Sequence, residues 1–504
     1  MKKKYTILSL VGGLLLLTTL FSCQKFLDVK PESDLTTGNA YNSAQDLVNA
    51  VNGAYRTYFE EYYQWDNVLL GDVRSDNAYA GGGGDQPIVD YDQLTINVAS
   101  DRMYRNWSQL YTGIARCNVI LDKLNSVEDA ELDRNNLREH IKGQASFLRA
   151  YHYFELVRCY GGVPLELNSN SADPAKTNLP RSSEKEVYDQ IVADLQVAID
   201  NLPDSYGSDN TVNKVKATKG AANAVMAKVW AQRSDRDYSK TIQYCDAVIN
   251  SPAGYTLVPD YATLFDGNNY SNSESILEIA FIGGNWDVSN WGVQLFLAPE
   301  DGWQKYCVPS KDLVAAYDSE GDVARKDANI VFWNNIDWAD EVWNPCGDKE
   351  QYIPFNYKLK HPDGWNSGDR PYLLRLGDII LLNAEAHNET GDLGGALALL
   401  NQIRNRAGLA DATASSKEEL RAKILKERRL ELAFEATRWD DLVRMGVCAN
   451  VMNNLHENKF TCEEGVISAP IPIVFNITSD MYLCPIPQLE RDANPNLTQN
   501  PGYN

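Results

Sequence analysis

The chain is poor in the residues that build metal and redox chemistry. Its 504 residues include five histidines, and His140, His152, His361, His387 and His456 have no metal-ligand spacing. HExxH, GxSxG and the P-loop pattern are all absent. Neither a metal nor a cofactor is expected. Nine cysteines contain no CxxC pair, and Cys117, Cys159 and Cys245 sit inside helical patterns as small buried residues, which argues against a dense disulfide framework. Cys307 with Cys346, or Cys448 with Cys462, are the pairings expected in loops. Positive charge is scarce too: 47 Lys and Arg face 69 Asp and Glu, a net charge of −22. Nucleic acid is therefore not an expected partner, because phosphate binding needs clustered cations. A paired-carboxylate glycosidase is the catalytic reading that counting leaves open, since the required separation of roughly 5 to 9.5 Å is not legible in a sequence. Asp318, Glu320 and Asp322 alternate as in a calcium loop but lack its glycine and terminal Glu, and read as a solvated turn. No enzyme is expected.

Long apolar runs are also missing, with one exception. Lys2, Lys3 and Lys4 precede an apolar stretch from Ile7 to Phe21, and small Ser22 stands before Cys23. The stretch has about 15 residues, short of the roughly 20 that span a bilayer core, so it reads as a secretory signal over residues 1–22. LeuPheSerCys at 20–23 resembles a bacterial lipobox, although Phe21 departs from the usual small or aliphatic residue. The resemblance implies cleavage before Cys23 and acylation of its thiol. Acyl chains at roughly 0.8 kcal/mol per buried CH₂ tether a chain without a transmembrane helix. Residues 23–43 then form a linker.

Beyond residue 43 most of the chain has a helical period. In 137–160, Leu137, Ile141, Ala145, Leu148, Tyr151, Phe154 and Val157 recur at steps of three and four, and Gly161, Gly162 and Pro164 end the run. Further helices are expected at 44–64, 102–125, 183–201, 217–233, 238–250, 373–390, 393–407 and 416–434. Two stretches repeat one pattern: 227–252 turns at Asp237 and Tyr238 with Thr241 beyond, and 381–408 turns at Gly391, Asp392 and Leu393 with Ala396 beyond. Helix, short turn and helix with a small residue at the crossing resembles a tetratricopeptide repeat.

Periodicity fades between 283 and 372, where Gly, Asn, Asp and Pro rise and seven of the 11 tryptophans fall. An indole face bounded by polar groups suits a pyranose, which presents C–H groups on one face and hydroxyls at its rim. Asn285, Trp286, Asp287 and Trp291 form one such group, with Trp303, Trp333 and Trp338 as further ring candidates. Tyr79, before the glycine run Gly81–Gly84, is expected on a flexible lip. Tryptophans that pin loops as satellite cores are the competing reading.

Over nearly the whole chain the sequence resembles the SusD/RagB outer-membrane nutrient-binding lipoproteins. The likeness rests on CQKFLDVKPES, GQASFLRAYHYFELVRCYGGVPL at 143–165, RPYLLRLGDIILLNAEAHNETGD at 370–392, ERRLELAFEATRWDDLVRMG at 427–446 and PIPQLERDANPNLTQNPGY at 485–503. It implies a mainly α fold, a tetratricopeptide-like helical-hairpin superhelix with a loop-rich binding face. The expected organisation is a helical region at 44–260 and a C-terminal region at 261–504 that carries the loop-rich insert 283–372. It also implies a non-enzymatic, surface-exposed outer-membrane lipoprotein that passes an oligosaccharide or polysaccharide to a SusC-like TonB-dependent transporter. A peptide-binding RagB-like protein and a tetratricopeptide-type protein scaffold are the alternatives. Arg438, Trp439, Asp440 and Arg444 are expected to pack and pair rather than bind. Ala436 stands where glycine is common in the family, and the change is expected to be harmless.

Overall fold

The computed structural model describes residues 40–81, 85–169, 178–296, 305–336, 338–360 and 364–503. The signal, Cys23, Trp303 and Gly82–Gly84 lie outside the described residues. Among those residues no helix is long and apolar enough to cross a membrane.

The helices fall close to where the periodicity put them. In chain order they are α1 (Ala44–Tyr55), α2 (Asp101–Leu124), α3 (Leu137–Tyr160), α4 (Glu184–Asn201), α5 (Lys219–Gln232) and α6 (Tyr238–Ile249), then α7 (Lys311–Glu320), α8 (Leu376–Thr390), α9 (Leu393–Arg406), α10 (Lys417–Leu432) and α11 (Arg438–Arg444). Side-chain caps fix several starts: Ser43 and Ser183 open capping boxes with Asp46 and Glu186, and Asp237 and Asp392 cap α6 and α9. Neighbouring helices pack in sequence from α2 to α6, α6 packs on α8, and α8 on α9 and α10. The two repeat-like hairpins thus stack on one another. Thr241 and Ala396, the small residues at their crossings, are fully buried. The tetratricopeptide-like superhelix results from this stacking, because each hairpin leaves an apolar face that the next one covers.

Four expectations are corrected. The first helix stops at Tyr55 instead of residue 64, and Tyr62–Asp66 and Leu69–Val73 form wide π-helical turns. Tyr58, Tyr62 and Tyr63 pack there edge to face, and the wider turns accommodate that ring cluster. Neither expected cysteine pair exists: Cys346 bonds Cys462 across 116 residues, while Cys307 and Cys448 are buried free thiols. The bond fastens the loop-rich insert to a small ladder of Glu457–Lys459 with Ile471–Ile473. Asp322 is not solvated; it is buried and pairs with Arg325 at 2.6 Å. Ala436 is not at a neutral position. Its φ of +58° and that of Phe434, +64°, are left-handed, and both N–H groups donate to the buried Asp72 carboxylate at 2.8 and 2.9 Å. A Cβ on Gly71 would come within 2.4 Å of the Ala436 backbone, so this turn is pressed directly against residues 71 and 72.

The strands are short and pair only in twos. One ladder organises the loop face. β2 (Ser275–Glu278) runs antiparallel to β6 (Tyr372–Arg375), with Ser275 opposite Arg375 and Glu278 opposite Tyr372. The loop that leaves β2 and the loop that enters β6 therefore emerge from the same end. At the other end sits a buried ion network. Glu431 on α10 receives Arg375 at 2.7 Å and Arg325 at 3.0 Å and also pairs with Arg406; Glu274 receives Arg375 at 2.9 Å and Arg406 at 3.1 Å. Burial alone would raise the Glu431 carboxyl, but Arg406, Arg375 and Arg325 hold it well below the usual range. Arg438 and Arg444 pair with Asp76 and Glu385 at 2.7 Å, Asp440 pairs with Arg158, and the Trp439 indole donates to the Tyr482 carbonyl at 3.1 Å.

Glu431→Gln leaves three buried guanidinium groups short of an anion and is expected to cost about 3–5 kcal/mol in urea unfolding. Ala436→Gly relieves a left-handed alanine and is expected to raise stability by about 1 kcal/mol in the same measurement.

Candidate ligand-binding face

The two loops at the free end of the β2–β6 ladder stay zipped together beyond it. Ile279 N–H donates to the Pro371 carbonyl at 3.2 Å, Gly284 N–H to Asn366 at 2.9 Å, and Asn290 N–H to Ser367 at 2.8 Å. Ile282 N–H donates to the Val288 carbonyl at 2.8 Å and closes a tight excursion. A short turn of 3₁₀ helix, Trp286–Val288, forms its tip, capped by the Asn285 side chain, which accepts from Asp287 N–H at 3.1 Å.

This geometry sets four aromatic rings in series from interior to surface. Buried Trp65 stacks on Tyr306 with centroids 6.1 Å apart and tilts against Trp291 at 6.4 Å. Trp291, half-buried on the main core, lies parallel to Trp286 at 5.8 Å and 10°. Trp286 is 54% exposed. With one face covered by Trp291, its remaining area lies on the side away from the protein. Gly292 makes the close approach possible: its N–H donates to Gln64 at 3.1 Å, and a Cβ there would stand 2.8 Å from the Trp65 ring. Trp365, 40% exposed, occupies the neighbouring turn Gly364–Asn366. The surface thus presents two exposed indoles on adjacent loops, with exposed Asn285 and Asp287 beside the first.

The other predicted rings are placed differently. Tyr79 is a correction: it is buried in a two-residue strand, Ala78–Tyr79, paired with Val308–Pro309, and its hydroxyl donates to Asp340 at 2.6 Å. It carries no exposed face because that hydrogen bond and Val308 and Val342 draw it inward. Trp333 and Trp338 are half-buried around Ile336, Ile353 and Phe355, where Trp338 meets Phe355 edge to face and carries the Lys305 ammonium 4.0 Å above its ring. They pack as a satellite core beside β4 (Ile330–Trp333) and β5 (Ile353–Asn356). Trp365, Trp65 and Tyr306 are not distinguished by the sequence. Trp365 shares the compositional signal of the insert, while Trp65 and Tyr306 carry no local sign of a structural role under Trp291.

Beneath the zipped loops lies a cavity of about 50 Å³ lined by Gln64, Tyr270, Asp369, Arg370 and Phe434 among others. Asp369 N–H donates to Ser367 Oγ at 3.1 Å, but its Oδ2 has no partner among the described residues. Burial pushes the Asp369 carboxyl up to about 7, with Lys360 opposing and Glu278 adding to the rise. Burial likewise pulls Lys360 down to about 7. Among the described residues no cluster of His, Cys, Asp or Glu is arranged to hold a metal. A second cavity, of about 80 Å³, lies away from this face among Arg74, Arg158, Cys159 and Asp440.

The folded Asp369 keeps a proton that the unfolded chain releases above about pH 3.9. Its contribution to stability is complete below that value and is lost as pH rises through about 7. Asp369→Asn is expected to gain on the unsubstituted protein in thermal midpoint between about pH 5 and pH 8. A difference that stays constant with pH contradicts this assignment.

Comparison with known proteins agrees with the fold. A family model described as "SusD family" matches residues 334–503, and one described as "Starch-binding associating with outer membrane" matches residues 25–230. SusD-like protein P2 of Formosa agariphila is 27% identical over 99% of this chain and 100% of its own length. A crystal structure of a SusD-like protein from Bacteroides fragilis superposes with a TM-score of 0.74 at 26% identity, covering 92% of this chain and 98% of that one. A laminarin-binding SusD-like protein superposes with a TM-score of 0.72 at 27% identity, covering 92% and 100%. Two family models on the two ends of the chain, full-length relatives and the stacked helical hairpins agree: the chain belongs to the SusD/RagB family.

Proposed function

We propose that this protein is a cell-surface glycan-binding lipoprotein, anchored in the outer membrane through acylated Cys23, that captures an oligosaccharide and delivers it to a partner TonB-dependent transporter. The observation that carries the binding half is the outward face of Trp286, stacked on Trp291 and braced through Trp65 by the core. A rigid indole stacks on a pyranose at little cost in ordering. Asn285 and Asp287 flank the ring, and Trp365 stands on the adjoining loop. The laminarin-binding neighbour and the starch-binding description of one matching family model support a carbohydrate cargo. The outer-membrane association in that same description, together with the lipobox-like segment ending at Cys23, supports the tether. Trp333 and Trp338 are proposed as supports of the face rather than contacts. No bond is made or broken in this role.

A few stacking contacts and edge hydrogen bonds give a dissociation constant on the order of millimolar to micromolar, roughly −4 to −7 kcal/mol. Affinity electrophoresis through gels containing laminarin, starch, xylan or levan is expected to show retardation in at least one. Trp286→Ala should weaken that retention about tenfold or more, roughly 1.4 kcal/mol, and Trp338→Ala should leave it near unchanged. Retention that survives loss of both Trp286 and Trp291, or retardation only by peptides, would remove the carbohydrate platform.

A further inference from the structure

Arg74 is a buried cation whose partners among the described residues include no carboxylate. Its guanidinium donates to Cys484 Sγ at 3.3 Å and to the Met481 and Tyr482 carbonyls at 3.0 and 3.5 Å, and it lies 4.3 Å over the Trp439 ring. The acidic groups acting on it are Cys484, Tyr503, Cys159 and Cys448. A guanidinium taken out of water needs an anion close by, and the sulfur of Cys484 is the group it touches.

Cys484 does not stand alone. Its N–H donates to the Cys159 carbonyl at 2.7 Å, and the two thiols are hydrogen-bonded to each other. Cys159, on the last turn of α3, and Arg74 both line the cavity of about 80 Å³, together with Glu155, Arg158 and Asp440. A small polar molecule in that cavity therefore reaches a sulfur directly. The Cys346–Cys462 bond shows a fold compatible with an oxidising compartment.

We propose that Cys159 and Cys484 form a redox pair that neutralises Arg74 as a thiol–thiolate couple when reduced and closes into a second disulfide when oxidised by a hydroperoxide. One sulfur, as thiolate, attacks the O–O bond; an S–O bond forms, the O–O bond breaks, and the departing oxygen takes a proton and leaves as water or alcohol. The second sulfur then displaces the oxygen of the sulfenic acid, giving S–S and water. Two thiols and one hydroperoxide thus become one disulfide, one alcohol or water, and one further water. The charge environment agrees. The hydrogen bond from Cys159 and the charge of Arg74, against burial and Asp440, bring Cys484 down to about 7, while burial and Cys484 push Cys159 up. Cys117, Cys245, Cys307 and Cys448 are all pushed up, with burial the leading cause, and they serve as internal controls. Closure would bolt the end of α3 to the C-terminal segment beyond residue 484.

The test is peptide mapping of the full mature chain after graded hydrogen peroxide, quenching with an alkylating agent under denaturing, non-reducing conditions. A Cys159–Cys484 cross-link, already present or formed at peroxide doses that leave Cys117 and Cys245 fully alkylated, is the expected result. Cys159→Ser removes the resolving thiol and should let dimedone trap a sulfenic acid at Cys484 at several times the yield seen at Cys245. Absence of the cross-link with Cys159 and Cys484 alkylated as fully as the control cysteines overturns the proposal. So does equal dimedone labelling of Cys484 and Cys245 in the variant.

Discussion

Everything on the loop face hangs from one buried carboxylate. Glu431 is fully buried, yet three guanidinium groups from different parts of the chain, Arg325, Arg375 and Arg406, converge on it. Ion pairs of this kind do little for net stability, because stripping water from the charges offsets their attraction. What they fix is position. Arg375 ends β6 and Glu274 precedes β2, so the network grips the root of the ladder whose far end holds the zipped loops. Arg406 brings in the second repeat-like hairpin and Arg325 the insert. The helical superstructure and the loop face thus share one anchoring point.

From that root the consequences run outward in steps. The ladder sets the spacing of the two loops, and the backbone bonds from Gly284 to Asn366 and from Asn290 to Ser367 carry the pairing to the tip. Gly292 admits Trp65 under the loop, Trp65 braces Trp291, and Trp291 covers one face of Trp286. A large exposed indole on a loose loop would fold back against the nearest apolar surface. Here the place it would occupy is already filled by Trp291, and so the ring remains available to a ligand.

The helical part of this arrangement is legible in the sequence because its signals are local. Ser183, Asp237 and Asp392 cap the helices that begin next to them, and Thr241 and Ala396 mark the crossings by size alone. The loop face is legible only as composition. Trp286 and Trp333 sit in similar contexts of Trp, Asn and Asp, and what separates an exposed ring from a half-buried one is a partner distant in the chain: Asn366 and Ser367 for the first, Ile353 and Phe355 for the second. Tyr79 is misplaced by a local reading for the same reason, since Asp340 lies 261 residues away. The Cys346–Cys462 pairing and the burial of Asp322 likewise depend on contacts that no local pattern encodes. Ala436 shows the reverse case: the usual glycine there is a conformational signal, and the left-handed backbone explains it.

The central physical claim is that a single outward indole, held from behind, receives the sugar. The most direct measurement is ¹⁹F NMR of the intact protein labelled with 5-fluorotryptophan, titrated with an oligosaccharide that it retains in gels and assigned by single Trp→Phe variants. The Trp286 resonance should shift saturably, with a smaller change at Trp291 through the stack, while those of Trp333 and Trp338 hold still. Saturable binding that moves Trp333 or Trp338 and leaves Trp286 unchanged would contradict it.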